Sequence, residues 1–192
     1  MRRIAIPVLS ALALAAAATA VPLPAAAQQP AAVAPAAATL DDATIVAIFD
    51  AANTADIETG QLAARRGASK EVRDFGEMLV NAHRQVRQQG RDLAAKLGVT
   101  PTPPADDASA KAHAAAMTRL RTLEGAAFDR AFLQHEIAFH KAVLDAVRTT
   151  LLPAIRNGEL RELVVKVAPA FDAHMVGAQN LERRLAADPA GR

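Results

Sequence analysis

Three histidines and two acids stand at positions where helices would ordinarily carry leucine. In segment 128–152 (FDRAFLQHEIAFHKAVLDAVRTTLL), Phe132, Val143 and Val147 recur on one helical stripe, flanked by Leu133, Phe139 and Leu151. At about 100° per residue, Glu136 and His140 fall near the middle of that stripe, one turn apart, so both side chains leave the same face. His83 interrupts the stripe Val72, Phe75, Leu79, Val86, Leu93, Leu97, and His174 interrupts one running from Leu160 and Val164 to Leu181 and Leu185. Asp56 sits in the middle of the face made by Ile45, Phe49, Ala52, Thr59 and Ala63. Burying an unpaired polar group costs several kcal/mol, so these residues must satisfy one another or hold something that does. Imidazoles and carboxylates facing inward are suitable ligands for a single first-row transition metal ion (iron, manganese, zinc or copper). The other reading is a metal-free polar layer, His to Asp and His to Glu, that fixes helix register.

Either reading requires the five residues to lie at one depth. His140 is 17 residues before Asn157 and His174 is 17 after it, so a hairpin turning there places them level. Asp56 lies 12 residues before Ala68 and His83 lies 15 after it, an offset of about 4.5 Å at 1.5 Å per residue. Asp56, His83, His140 and His174 therefore form a layer with one member per helix, and Glu136 is one turn away. Metal would be held by His83, His140 and His174, with Asp56 and Glu136 as further ligands or as groups that orient the imidazoles. His135 and His113 are expected at the surface, and Glu58 as a solvated charge. No nucleophile stands beside a histidine, so no catalytic residue is assigned, and no organic cofactor is expected.

The elements that carry these residues follow from stop and start signals. Asp41 and Asp42 open a helix that runs to Arg66 and stops at Gly67. Ser69 caps a second, 70–97, ended by Gly98. The proline-rich segment 99–107 (VTPTPPADD) is a crossover loop, followed by a short alanine-rich helix over 109–123 closed by Gly125. A third long helix follows to Leu152. Asn157-Gly158 is a turn, and the last helix spans 159–187, with Pro169 expected to kink it before His174. The fold class is all-α: an antiparallel four-helix bundle with a short extra helix in the crossover between helices two and three.

The first 27 of the 192 residues have the form of a secretory signal: Arg2-Arg3, an apolar run, then Ala25-Ala26-Ala27. Segment 28–40 is an Ala/Pro-rich linker, 41–187 the helical domain and 188–192 a disordered tail. Removing Arg2 and Arg3 from 22 basic residues leaves 20 against 20 acidic ones, and the chain has no Tyr or Trp. Balanced charge without stacking platforms gives nucleic-acid binding no support. With the signal cleaved, no integral membrane association is expected, and the place is the periplasm or cell envelope. The chain has no Cys, so packing rather than disulfides must stabilise it. A homodimer is compatible with these features, and protein partners stay unassigned.

Four segments carry a resemblance: 56–63 (DIETGQLA), 78–83 (MLVNAH), 125–129 (GAAFD) with His140 beyond it, and 169–174 (PAFDAH). Together they resemble the bacterial domain of unknown function 4142 family, over about residues 41–185. The resemblance implies an exported, ferritin-like helical bundle, and places His83, His140 and His174 at the family's histidine positions. Asp56 stands where that family more usually has Glu, which shortens the reach of the carboxylate. The di-iron ferritins are a poor match. They use Glu-x-x-His on two helices, whereas Glu136 and His140 are four apart and Val80 occupies the place a Glu would need before His83.

Overall fold

A computed structural model of the chain describes residues 40–187. The expected signal segment 1–27, nearly all of the linker and the tail 188–192 lie outside the described residues. Among the described residues every regular element is helical, with no strand. They are α1 (Asp42–Arg66), α2 (Lys70–Leu97), α3 (Ala108–Arg121), α4 (Gly125–Ala146) and α5 (Gly158–Ala187). The architecture is a helical bundle with an added short helix. α1 packs on α2 and α4, α5 packs on α2 and α4, and α3 lies across α1 and α4. No helix among the described residues is long and apolar enough to cross a membrane.

The helix limits are set by local chemistry. Asp41 accepts from the Thr44 amide at 2.8 Å and Ser69 from that of Val72 at 3.3 Å, so both hairpin-one helices start on a side-chain cap. Asn157 does the same for α5, accepting from Leu160 at 3.0 Å. Gly98 ends α2 at φ 64°, in the left-handed region that glycine adopts without a Cβ penalty. The third long helix differs from expectation. Its regular part stops at Ala146, and a π-helical turn spans Val147–Leu151 before a last turn, Leu152–Ala154. Two residues account for the wide turn. The Thr149 hydroxyl donates to the Asp145 carbonyl at 2.8 Å, competing with the backbone for that acceptor. Pro153, four residues on, has no N–H for the Thr149 carbonyl and crowds it sterically. Pro169 is accommodated inside α5, which is continuous from Gly158 to Ala187.

The two hairpins clasp each other through aspartates. Asp42, at the start of α1, accepts the backbone amides of Arg156 and Asn157 in the α4–α5 turn, each at 2.9 Å. Asp129, in the second turn of α4, accepts those of Ala68 and Ser69 in the α1–α2 turn, at 2.8 and 2.9 Å. Each carboxylate thus satisfies two backbone amides of a turn, that of the residue capping the following helix and that of the residue before it. Within hairpin one, α1 and α2 meet backbone to backbone. A Cβ on Gly76 would stand 2.6 Å from the Gly60 carbonyl oxygen, and one on Gly60 would stand 2.8 Å from that of Gly76.

The buried apolar residues fall on either side of a polar layer. Along α1, Ile45 and Val46 give way to Asn53 and Asp56, then to Leu62 and Ala63. Along α4, Phe128, Phe132 and Leu133 give way to Glu136 and His140, then to Leu144. α2 and α5 repeat the pattern with His83 and His174. Apolar packing above and below holds the layer in place and keeps water from it.

Candidate metal centre

All five of the residues singled out from sequence are buried, and they meet. His83, Glu136 and His140 are fully buried, Asp56 is 1 % exposed and His174 9 %. The ring centroids of His83, His140 and His174 lie 4.9 to 5.6 Å apart, with Phe171 packed against His83 at 5.0 Å and His140 at 5.7 Å. Among the described residues, two sets of three ligand atoms lie within 4.8 Å of one another: His83, His140 and His174, and Asp56, Glu136 and His140. His140 belongs to both.

Hydrogen bonds fix which nitrogen of each ring faces inward. The Asn53 amide nitrogen donates to the Phe49 carbonyl at 2.8 Å, so its oxygen is turned to His83 Nδ1, 3.0 Å away. An oxygen can only accept, so His83 carries its proton on Nδ1 and offers the lone pair of Nε2. His140 Nδ1 lies 2.9 Å from the Glu136 carbonyl oxygen, which fixes the same tautomer there. His83 Nε2 faces His174 Nδ1 at 3.1 Å, and His174 donates across that gap. The run Phe49–Asn53–His83–His174 is therefore closed by hydrogen bonds.

The other half is open. Both carboxylate oxygens of Asp56, both of Glu136 and Nε2 of His140 are buried without a hydrogen-bond partner. Asp56 Oδ1 stands 3.9 Å from His140 Nε2, and Asp56 Oδ2 stands 3.5 Å from His83 Nδ1, beyond hydrogen-bond range. Glu136 Oε2 is 3.6 Å from His140 Nδ1, whose proton is already given to the backbone. Burial pushes the Glu136 carboxyl up to about 7. Asp56 is held well above the usual carboxylate range by burial first and by the Glu136 charge second. Burial lowers all three imidazoles, His83 to about 2 and His140 to about 4, so they are neutral and have lone pairs to give. Neutral imidazoles, two carboxylates and unsatisfied donor atoms are what a transition metal ion requires of a protein, and the residues present fit one.

Two expectations need correction. His135 is half-buried, not a surface residue, and burial lowers it to about 4. His113, also half-buried, has Nε2 2.8 Å from Glu58 Oε2, so Glu58 is a paired charge although it is itself half exposed. Their helices leave them off the apolar stripes, but α3 packs against α1 and α4, which a helical wheel cannot show. Asn53 and Asp129 were missed. Asn53 lies one turn after Phe49 on the buried face, a visible signal; the partners of Asp129 are backbone amides 60 residues away, and no side-chain pattern marks them.

Comparison with known proteins agrees with the fold. The family model described as "Domain of unknown function (DUF4142)" matches residues 26–181. No curated protein matches the chain. Among solved structures, the chain is similar to the crystal structure of a DUF305 fragment from Deinococcus radiodurans. That similarity has a TM-score of 0.66 and 18 % identity, covering 74 % of this chain and 95 % of the other. At that identity the likeness concerns the fold alone. The chain belongs to the DUF4142 family.

Proposed function

We propose that this member of the DUF4142 family is an exported, ferritin-like bundle that binds one transition metal ion in its buried layer, serving metal handling or stress protection in the cell envelope. The observation that carries the reading is that five donor atoms on Asp56, Glu136 and His140 are buried without a hydrogen-bond partner, while one ligand atom of each residue lies within 4.8 Å of the others. A polar layer kept only for helix register would be expected to satisfy its members, because each unsatisfied buried group costs about 1–3 kcal/mol. His83 Nε2 and His140 Nε2 are the ring atoms turned inward, and Asp56 and Glu136 supply charge to offset that of a divalent ion. His174 would join by moving its Nδ1 proton to Nε2. A bound ion would act there as a Lewis acid. Export rests on the form of segment 1–27.

The second reading is a metal-free structural or interaction bundle. The closed run Asn53–His83–His174 favours it, since half the layer is satisfied by its own hydrogen bonds. Metal analysis of the exported protein, with thermal unfolding before and after chelation, separates the two. Metal binding predicts bound Fe, Mn, Zn or Cu and a melting temperature that falls on chelation. An ion present at 100 times its dissociation constant adds about 2.7 kcal/mol to stability. A metal-free preparation whose melting is unchanged by any of the four ions would leave only the second reading.

A further inference from the structure

The two sets of close ligand atoms share His140, but the hydrogen bonds of the layer treat them differently. In the all-nitrogen set, His83 Nε2 already accepts from His174 Nδ1 at 3.1 Å, and His83 Nδ1 is tied to Asn53 at 3.0 Å. Phe171, itself buried, packs against the His83 and His140 rings with centroids 5.0 and 5.7 Å away. An ion held by the three rings must first break the His83–His174 bond and move the His174 proton to its other nitrogen. It then finds no negative charge among its ligands. In the second set, Asp56 Oδ1 and His140 Nε2 stand 3.9 Å apart, and neither has a hydrogen-bond partner. Both oxygens of Glu136 also lack one, and one ligand atom of each of the three residues lies within 4.8 Å of the others. An ion between Asp56 Oδ1 and His140 Nε2 displaces no hydrogen bond.

Charge points the same way. As ligands, Asp56 and Glu136 are deprotonated, and their two negative charges balance those of a divalent ion. In a layer this buried, an ion held by neutral rings alone would keep its charge uncompensated, at a large cost. Carboxylates suit manganese, and imidazole suits iron as well as zinc and copper. Two carboxylates with one imidazole therefore fit Mn²⁺ or Fe²⁺, whereas three rings fit zinc or copper. We propose that the ion this layer takes is divalent manganese or iron, seated against Asp56, Glu136 and His140, with the His83–His174 pair left hydrogen-bonded beside it. This assignment rests on the metal-binding reading above and narrows it: His174 joins only for an ion whose preference for nitrogen is strong enough to break its bond to His83. Asp56 and Glu136 are then the residues that set which ion is held.

Pulsed EPR of Mn²⁺ bound to the full chain counts the imidazole nitrogens that coordinate it, and one is expected. Mn²⁺ titration of chelator-stripped protein, followed by loss of the free-ion EPR signal, should show Glu136→Gln binding at least about 30-fold more weakly, the lower end of what removing one partner of a buried charge pair costs. The nitrogen count is made on the unsubstituted chain, so a folding defect in the variant cannot stand in for the result. Two or more coordinating nitrogens, or a smaller loss in Glu136→Gln, would overturn the assignment. Uptake of Zn²⁺ or Cu²⁺ without any binding of Mn²⁺ or Fe²⁺ would overturn it too. In each of these cases the metal-binding reading stands. If the unsubstituted chain takes up none of the four ions, both fall.

Discussion

Replacing Glu136 by Gln in metal-free protein should raise stability at alkaline pH and do little at acid pH. Glu136 is fully buried, and its carboxyl is pushed from 4.5 up to about 7. A carboxyl raised in the folded state costs nothing below about pH 4.5, where folded and unfolded chains both hold the proton. The cost grows as pH rises from there and is complete above about 7. At about 1.4 kcal/mol per tenfold, the interval from 4.5 to about 7 corresponds to about 3 kcal/mol. Gln has the same shape and no charge to desolvate. Urea unfolding of chelated protein at pH 5 and pH 8 should show the variant gaining about 2–3 kcal/mol on the parent between the two, the remainder of the cost being present already at pH 5. The difference between the proteins matters more than either profile. The imidazoles act with the opposite sign: with folded values lowered to about 4 for His140 and about 2 for His83, their contribution is whole above 6.5 and is lost as pH falls. Both proteins share that loss, so it cancels. With saturating metal the order should reverse at pH 8, because the variant lacks a ligand. A difference constant to within about 1 kcal/mol from pH 5 to pH 8 would refute the claim that Glu136 is buried without a partner.

Three other substitutions probe the frame around the layer. Asn53→Ala removes the acceptor for His83 Nδ1; it should cost about 1–3 kcal/mol, and ¹⁵N NMR should show His83 losing its single Nδ1–H tautomer. Asp129→Ala strands the amides of Ala68 and Ser69, and should lower stability in denaturant by about 2–4 kcal/mol. Asp42→Ala, which strands the amides of Arg156 and Asn157 at a more exposed position, should cost less. Gly76→Ala puts a Cβ 2.6 Å from the Gly60 carbonyl oxygen and 2.8 Å from the Ala64 nitrogen. Backbone atoms cannot swing aside, so the helices must separate; a loss of at least about 1–3 kcal/mol, read as a lower melting temperature, is expected.

What was legible in the sequence was whatever depends on near neighbours or on periodicity. Asp41, Ser69, Asn157 and Gly98 act within a turn of themselves, so the limits of α1, α2 and α5 fall where their residue types require. The layer was legible for a different reason: an acid or imidazole inside an apolar stripe is an inconsistency that only burial with company resolves. The π-helical turn was missed although Thr149 and Pro153 were both visible, because Thr149 acts on the Asp145 carbonyl and Pro153 on that of Thr149, and neither alone marks where the backbone widens. His113 was misplaced because its contact with the exposed Glu58 depends on how the crossover lies, and proline-rich segments give no register.

A polar residue on an apolar stripe announces that it is buried and says nothing about whether it is satisfied. That second property divides this layer. Asn53, His83 and His174 close on one another through bonds of 3.0 and 3.1 Å, and nothing further is needed to hold them. Asp56, Glu136 and His140 hold five buried atoms that have no hydrogen-bond partner. Two carboxylates cannot both keep their charge in such a place without a cation, and one proton shared between them would still leave His140 Nε2 with its lone pair unspent. A metal ion answers both demands at once, which is why the open half of the layer, more than the count of histidines, argues for one.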